Sequence, residues 1–325
     1  MKKALFFMIV GMGLSLFSPA QAAYPDREIT LVCAHAAGTN TDQLIRFISE
    51  IAGKALGQPI VVVNKPGASY AIGASAVTNA KPDGYTIGAL SGSAFTQLPH
   101  MRHVPYDVFK DFTWIASYTQ HTVGLVVKAD APWKTFDEYL DYAKKNPGKI
   151  IWSHDGYGLG GHILPEWVAL TRGGIDWKFV PIPGGPKQAT SLMGGHIHAW
   201  SAGGFHVQFV RDKTMRLLVN YDMIRLPSAP DVPTLRDLGY DSGIDDTPIV
   251  IMGPKGLPDP VRKKLEETYL KAMQDPGYHK VLDNTDMPKI FKGSAALTRT
   301  IEKDYKGWER LIQMTGVKSE KGEKK

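Results

Sequence analysis

From residue 29 onward, short apolar runs alternate with stretches in which apolar residues recur every three or four positions. The runs at 29–33, 60–63, 86–90, 124–128, 149–153, 178–181, 197–200, 216–219 and 249–252 predict strands, most of them closed by turn-forming residues. Residues 41–56 predict a helix, because Leu44, Ile45, Ile48, Ile51, Ala52 and Ala55 share one face and Gly57 stops it. Thr135 with Glu138 three residues on forms a capping box for a helix through Lys144. Further helices are expected at 71–80, 162–171, 187–193, 260–274 and 295–315. Such alternation predicts an α/β fold with mostly parallel sheets. Residues 23–122 hold one strand–helix set and 123–243 another, while the remainder has a strand and two helices but no sheet of its own. The expected division is a first lobe of 23–122 plus 244–325 and a second lobe of 123–243. The chain would cross between them near 119–124 and 242–248, which makes those segments the expected hinge.

Residues 1–22 stand apart from this pattern. Lys2 and Lys3 precede an apolar run from Ala4 to Phe17, and Ala20-Gln-Ala22 closes it with a small-x-small site. This is the layout of a secretory signal peptide cleaved after Ala22, and the run is shorter than the roughly 20 residues that span a bilayer. Export to the periplasm is expected. Of the formal charge of +6, removal of Lys2 and Lys3 leaves +4, and four more Lys lie in the tail after Val317. A basic excess at the termini is no nucleic-acid stripe, so no nucleic acid is expected as partner. The single cysteine, Cys33, excludes a disulfide scaffold and sits in an apolar strand as a core thiol.

Four strand ends run into glycine- or hydroxyl-rich turns: Ala36-Ala-Gly-Thr-Asn-Thr-Asp42, Lys65-Pro-Gly-Ala-Ser-Tyr70, Ser91-Gly-Ser93 and His154-Asp-Gly-Tyr-Gly-Leu-Gly-Gly161. In open α/β sheets ligands bind beyond the carboxyl ends of strands, and free N–H groups at helix starts hold anions. Gly156-x-Gly158-x-x-Gly161 matches a dinucleotide fingerprint formally. The next strand, however, ends at Pro181 without the acidic residue that would hold a ribose. Nucleophile elbow, P-loop and metalloprotease signatures are absent from the sequence, and no cofactor is expected. His196 and His198, two apart on an expected strand, share a face but lack a third ligand of fixed position, so no metal is expected.

From Tyr24 to Val317 the chain resembles the periplasmic solute-binding proteins of tripartite tricarboxylate transporters, the Bug family. The resemblance is carried by Tyr24-Pro-Asp-Arg-Glu-Ile-Thr-Leu-Val32, Gly57-Gln-Pro-Ile-Val-Val-Val-Asn-Lys-Pro-Gly67, Lys81-Pro-Asp-Gly-Tyr-Thr86 and Val104-Pro-Tyr-Asp107 with Lys110-Asp-Phe112. Asn146-Pro-Gly-Lys149, Met193-Gly-Gly195 and Ala229-Pro-Asp-Val-Pro-Thr234 add to it. It implies a two-lobed periplasmic-binding-protein fold that hinges shut on a small organic carboxylate in an interlobe cleft. It also implies a membrane permease of one large and one small subunit as partner, and a monomer.

Carried over by position, the family's first ligand loop falls on Gly38, Thr39 and Asn40, where Asp42 would brace the helix. The second falls on 66–73, with Ser69 and Tyr70 in place of glycines, and another on Asp155, Gly156, Tyr157 and Gly158 before His162. Some relatives that bind amino acids place an acid on the loop that here reads Ser201-Ala-Gly203-Gly-Phe205, which has none. The expectation is therefore a ligand without an ammonium and with a bulky or aromatic body. Thr39, Asn40, Ser69, Ser91 and Ser93 would hold its carboxylate; Tyr70, Phe95, Tyr157, Trp200 and Phe205 would wall its apolar part. The rival is an exported hydrolase on the same scaffold, disfavoured because no nucleophile, base and orienter stand in a known order.

Overall fold

The structure is a computed structural model that describes residues 24–221, 224–226, 228–244 and 247–317; the leader and the charged tail lie outside these. Strand β1 (Ile29–Cys33) leads to α1 (Asn40–Leu56) and β2 (Ile60–Asn64). A short 3-10 turn (Ala68–Tyr70) precedes α2 (Ala71–Thr78), and β3 (Thr86–Ser91) runs into two single-turn helices, α3 (Ser93–Thr96) and α4 (Leu98–Met101). Strands β4 (Phe112–Gln120) and β5 (Val123–Lys128) are separated by only two residues. Then follow α5 (Phe136–Lys145), β6 (Ile151–His154), α6 (Gly160–Thr171), β7 (Lys178–Pro181), α7 (Gly185–Met193), β8 (Ala199–Gly203), α8 (Val207–Arg211) and β9 (Met215–Asn220). The chain ends with β10 (Pro248–Pro254), α9 (Asp259–Ala272), α10 (Pro276–Thr285), β11 (Lys292–Gly293) and α11 (Ser294–Thr315).

Two sheets result. The first has the order β11-β4-β10-β3-β1-β2 and the second β7-β6-β8-β5-β9. Both are mixed, which corrects the expectation of mostly parallel sheets. β1 pairs parallel with β2 and β3, but β10 runs antiparallel to β3 and β4. β6 pairs parallel with β7 and β8, while β5 is antiparallel to β8 and β9. The antiparallel pairs are those made by the strands that cross between lobes or return to close a sheet. These strands cannot be joined to their neighbours by the right-handed helical crossover that enforces parallel pairing.

Helix α1 illustrates how local sequence sets each unit. Thr39 caps its start by accepting from the Asp42 amide, Gly57 ends it at φ 74°, and Leu44, Ile45, Ile48 and Ala52 are buried against the sheet. Cys33 is wholly buried in β1, and burial pushes its thiol up to about 11. The strand expected at 197–200 begins only at Ala199. His196 is therefore exposed ahead of the strand, and His198 uses Nδ1 to accept from the Ile151 amide at 3.0 Å.

The last helix belongs to both lobes. Leu297 and Ile301 sit in the first lobe's core with Trp114 and Met252, whereas Trp308, Leu311 and Ile312 sit in the second lobe's core with Trp152 and Ile163. Helix α11 thereby straps the lobes together along one side. Trp308→Ala should cost about 3–5 kcal/mol of stability, the range for truncating a buried tryptophan. Urea denaturation of the variant measures this; a loss under about 1 kcal/mol would mean that the strap is loosely packed.

Candidate functional site

The carboxyl ends of β3, β4 and β6 converge on a cleft of about 180 Å³ between the two sheets. On the first-lobe side stand Tyr70, Ser91, Ser93 and Gln97; on the second, His154, Asp155 and the start of α6. His121 lines the floor, in the two-residue junction between β4 and β5, and Thr247 lies beside it on the return crossing. The His121 amide donates to the Thr247 carbonyl at 2.9 Å, so the two crossings run hydrogen-bonded side by side.

Two glycines shape the walls. The Gly92 amide donates to the Pro248 carbonyl, and a Cβ there would stand 2.8 Å from that oxygen, so Ser91 and Ser93 flank a position that only glycine fills. A Cβ on Gly161 would overlap the His154 ring. The Ser91 and Ser93 hydroxyls lie 2.8 Å apart and share a hydrogen bond. The turn before Tyr70 is strained: Ala68, Ser69 and Tyr70 have φ of 47°, 49° and 77°. Left-handed backbone costs a non-glycine residue roughly 1–2 kcal/mol, and here it turns the Tyr70 ring into the cleft.

Of the positions expected from sequence, Tyr70, Ser91, Ser93, Asp155 and Gly203 line the cleft. Gly38, Thr39 and Asn40 build the start of α1 instead: the Gly38 amide donates to Asp42, and the Thr39 hydroxyl donates to the Ala36 carbonyl. Burial would raise the Asp42 pKa, but Arg46, Asn64 and the Gly38 amide outweigh it and hold the carboxyl below its ordinary value. Ser69 supplies the strained turn but does not line the cavity. Gly158 and His162 form a support behind the wall, with the Gly158 amide donating to His162 Nδ1 at 3.0 Å.

The aromatic wall needs correction. Phe95 is wholly buried in the first lobe, edge-on to Phe112 and Trp114. Trp200 is buried in the second-lobe core with Val126 and Leu217. Tyr157 and Phe205 are about half exposed and pack on His162 and on Gly185, away from the cavity. Only Tyr70 of the five faces the cleft, so the lining is mostly polar. Gln97, His121 and Thr247 were not anticipated as lining residues, and His154, Gly160 and Gly161 only as part of the glycine-rich turn 154–161. Their signal was positional: each follows a strand end or lies in a crossing.

Helix α6 begins at the cleft, and the Gly160 amide donates to Gln97 Oε1 across it at 2.8 Å, a direct bond between lobes. Burial keeps the imidazoles neutral. It pulls His121 down to about 4 and His35, behind Tyr70, to about 3, and it lowers His154 against the opposing charge of Asp155. Burial first, then the negative charge of Asp155, pushes the Tyr70 hydroxyl up to about 12. Among the described residues no group of three His, Cys, Asp or Glu could hold a metal ion, and no helix is long and apolar enough to cross a membrane. A larger hollow of about 520 Å³ lies between α1 and β2, on one lobe alone. Its charges are already matched, Arg46 by Asp42 and Lys54 by Glu50.

Residues 44–317 match the family described as tripartite tricarboxylate transporter family receptors. The chain belongs to that family. A protein from the gbd 5' region of Cupriavidus necator is 32% identical to this receptor over 302 residues, 92% of this chain and 91% of its own. A ligand-free TctC solute-binding protein from Polaromonas superposes with a TM-score of 0.75 at 28% identity, over 89% of the receptor and 99% of that chain. MatC from Rhodopseudomonas palustris, solved with bound malate, gives 0.74 at 25% identity over 89% of this chain and all of its own. Family and fold are those of periplasmic substrate-binding receptors, not enzymes.

The depressed histidines have a consequence for the receptor's stability. His206 is 1% exposed, both its ring nitrogens lack a partner, and burial pulls it down to about 4. A folded-state pKa below the unfolded value of about 6.5 means that the unfolded chain takes up protons the folded one refuses. Stability is full above that value and falls as pH drops from about 6.5 to about 4. The urea midpoint should decline over this window, and His206→Phe should flatten the decline. An identical slope in the variant would show that His206 titrates normally.

Proposed function

We propose that this receptor captures a small, polar organic carboxylate in the interlobe cleft and delivers it to a membrane permease of one large and one small subunit. The observation that carries the reading is the convergence of neutral hydrogen-bond donors from both lobes on one small cavity. Ser91, Ser93 and Tyr70 offer hydroxyls from one lobe, and α6 starts at the cavity from the other with Gly161, whose amide is not taken up as those of Gly160, His162 and Ile163 are. MatC's bound malate supports the ligand class. The polar lining favours a compact ligand over one with an aromatic body.

In this reading the first lobe comprises 23–122 plus 244–325 and the second 123–243, and the lobes close about the crossings near 119–124 and 242–248. The leader 1–22 directs export and is removed after Ala22, and the mature receptor works as a monomer.

Calorimetry of the mature protein against aliphatic acids of three to six carbons tests the ligand class; it predicts binding that Tyr70→Ala weakens by about 1–3 kcal/mol. Full affinity in Tyr70→Ala would place the site elsewhere. With saturating ligand, small-angle scattering should give a smaller radius of gyration, and an unchanged profile would contradict closure. Mass spectrometry of the exported protein should find Ala23 at the N-terminus rather than Met1.

A further inference from the structure

Asp155 is the only charged side chain lining the cleft among the described residues; no lysine or arginine faces it. It projects from the carboxyl end of β6, where Oδ1 accepts from the Gly184 amide at 2.9 Å and from Gln188 Nε2 at 2.5 Å. These two neutral donors fix the carboxylate in place without cancelling its charge. It makes no ion pair among the described residues, and its field reaches Tyr70 on the opposite wall and His121 on the floor. His121 and His154, the other titratable groups that face it besides Tyr70, are held neutral by burial. The cleft therefore carries a net negative charge at neutral pH.

That charge selects among carboxylates. A ligand bearing carboxylates alone would bring like charge against Asp155 in a closing, drying cleft, with no cation to offset it. A ligand that also carries an ammonium pairs with Asp155 while its carboxylate meets the Ser91 and Ser93 hydroxyls across the cavity. His121 Nε2, shielded from solvent and without a partner, remains for a further polar group of the ligand. Residues 201–205 carry no acid, but Asp155 supplies the counter-charge from another strand end. Resting on the carboxylate-receptor reading, we propose that Asp155 is its specificity-determining residue and that the ligand is an amino-substituted carboxylate.

Calorimetry at pH 7 with matched sets decides the matter: succinate, malate and aspartate, then glutarate and glutamate. The amino member of each set should bind about tenfold or more tightly than the plain diacid. Asp155→Asn should erase that preference, since its amide oxygen can still accept from Gly184 and Gln188 but carries no charge. A thermal melt verifies that the variant is folded. Equal or tighter binding of succinate and glutarate by the unaltered receptor, or an amino preference that survives in Asp155→Asn, overturns the proposal and leaves the receptor reading intact. Preference for malate over both other four-carbon acids would overturn it in favour of a hydroxy acid. If none of these acids and no other aliphatic acid of three to six carbons binds, the carboxylate reading itself fails, and this proposal with it.

Discussion

The architecture depends on the shortness of the junction between the two sheets. Only His121 and Thr122 separate β4 from β5, and the return crossing is bonded to the first through the His121 amide and the Thr247 carbonyl. That hydrogen bond ties the two crossings together beneath the cleft. The ends of both sheets are therefore held face to face, at a distance set by the side chains between them. Helix α11, with Trp308 in one core and Ile301 in the other, ties the two lobes along one edge. The cleft thus sits on one small region of backbone.

Electrostatics inside that region differ from those of the chain as a whole. The sequence is basic, yet among the described residues no lysine or arginine lines the cleft, and many cationic side chains stand in surface pairs such as Lys54 with Glu50 and Lys110 with Asp107. Such exposed pairs contribute little to stability. Within the cleft, burial strips the imidazoles of charge and leaves hydroxyls, amides and one carboxylate to act on a ligand. Hydrogen-bonding groups in such a cleft reject a ligand lacking a partner for a buried polar group more strongly than apolar contact would.

Much of this was legible in the chain. The periodicity of α1, its Thr39 cap and its Gly57 stop appear where residue spacing places them, and the hydroxyl- and glycine-rich strand ends do mark the cleft at Ser91, Ser93 and Asp155. Strand β4 was missed because Ser117, Thr119 and Gln120 are buried polar residues that break the apolar run. Helices α3, α4 and α8 are too short to show a period. Phe95 was misplaced for a geometric reason: two positions along a helix turn through about 200°, so with Ser93 facing the cleft Phe95 must face the core. Trp200 fails by the same logic in a strand, since it and Gly203 are an odd number of residues apart and point to opposite faces.

A ligand gripped by both lobes at once must shield both walls of the cleft together. Hydrogen–deuterium exchange with and without a bound carboxylate reads this out. Protection should rise together at 91–97, at 121–123 and at 154–161, the two walls and the junction beneath them. Protection confined to one wall, or to the hollow between α1 and β2 while the cleft exchanges as before, would contradict it.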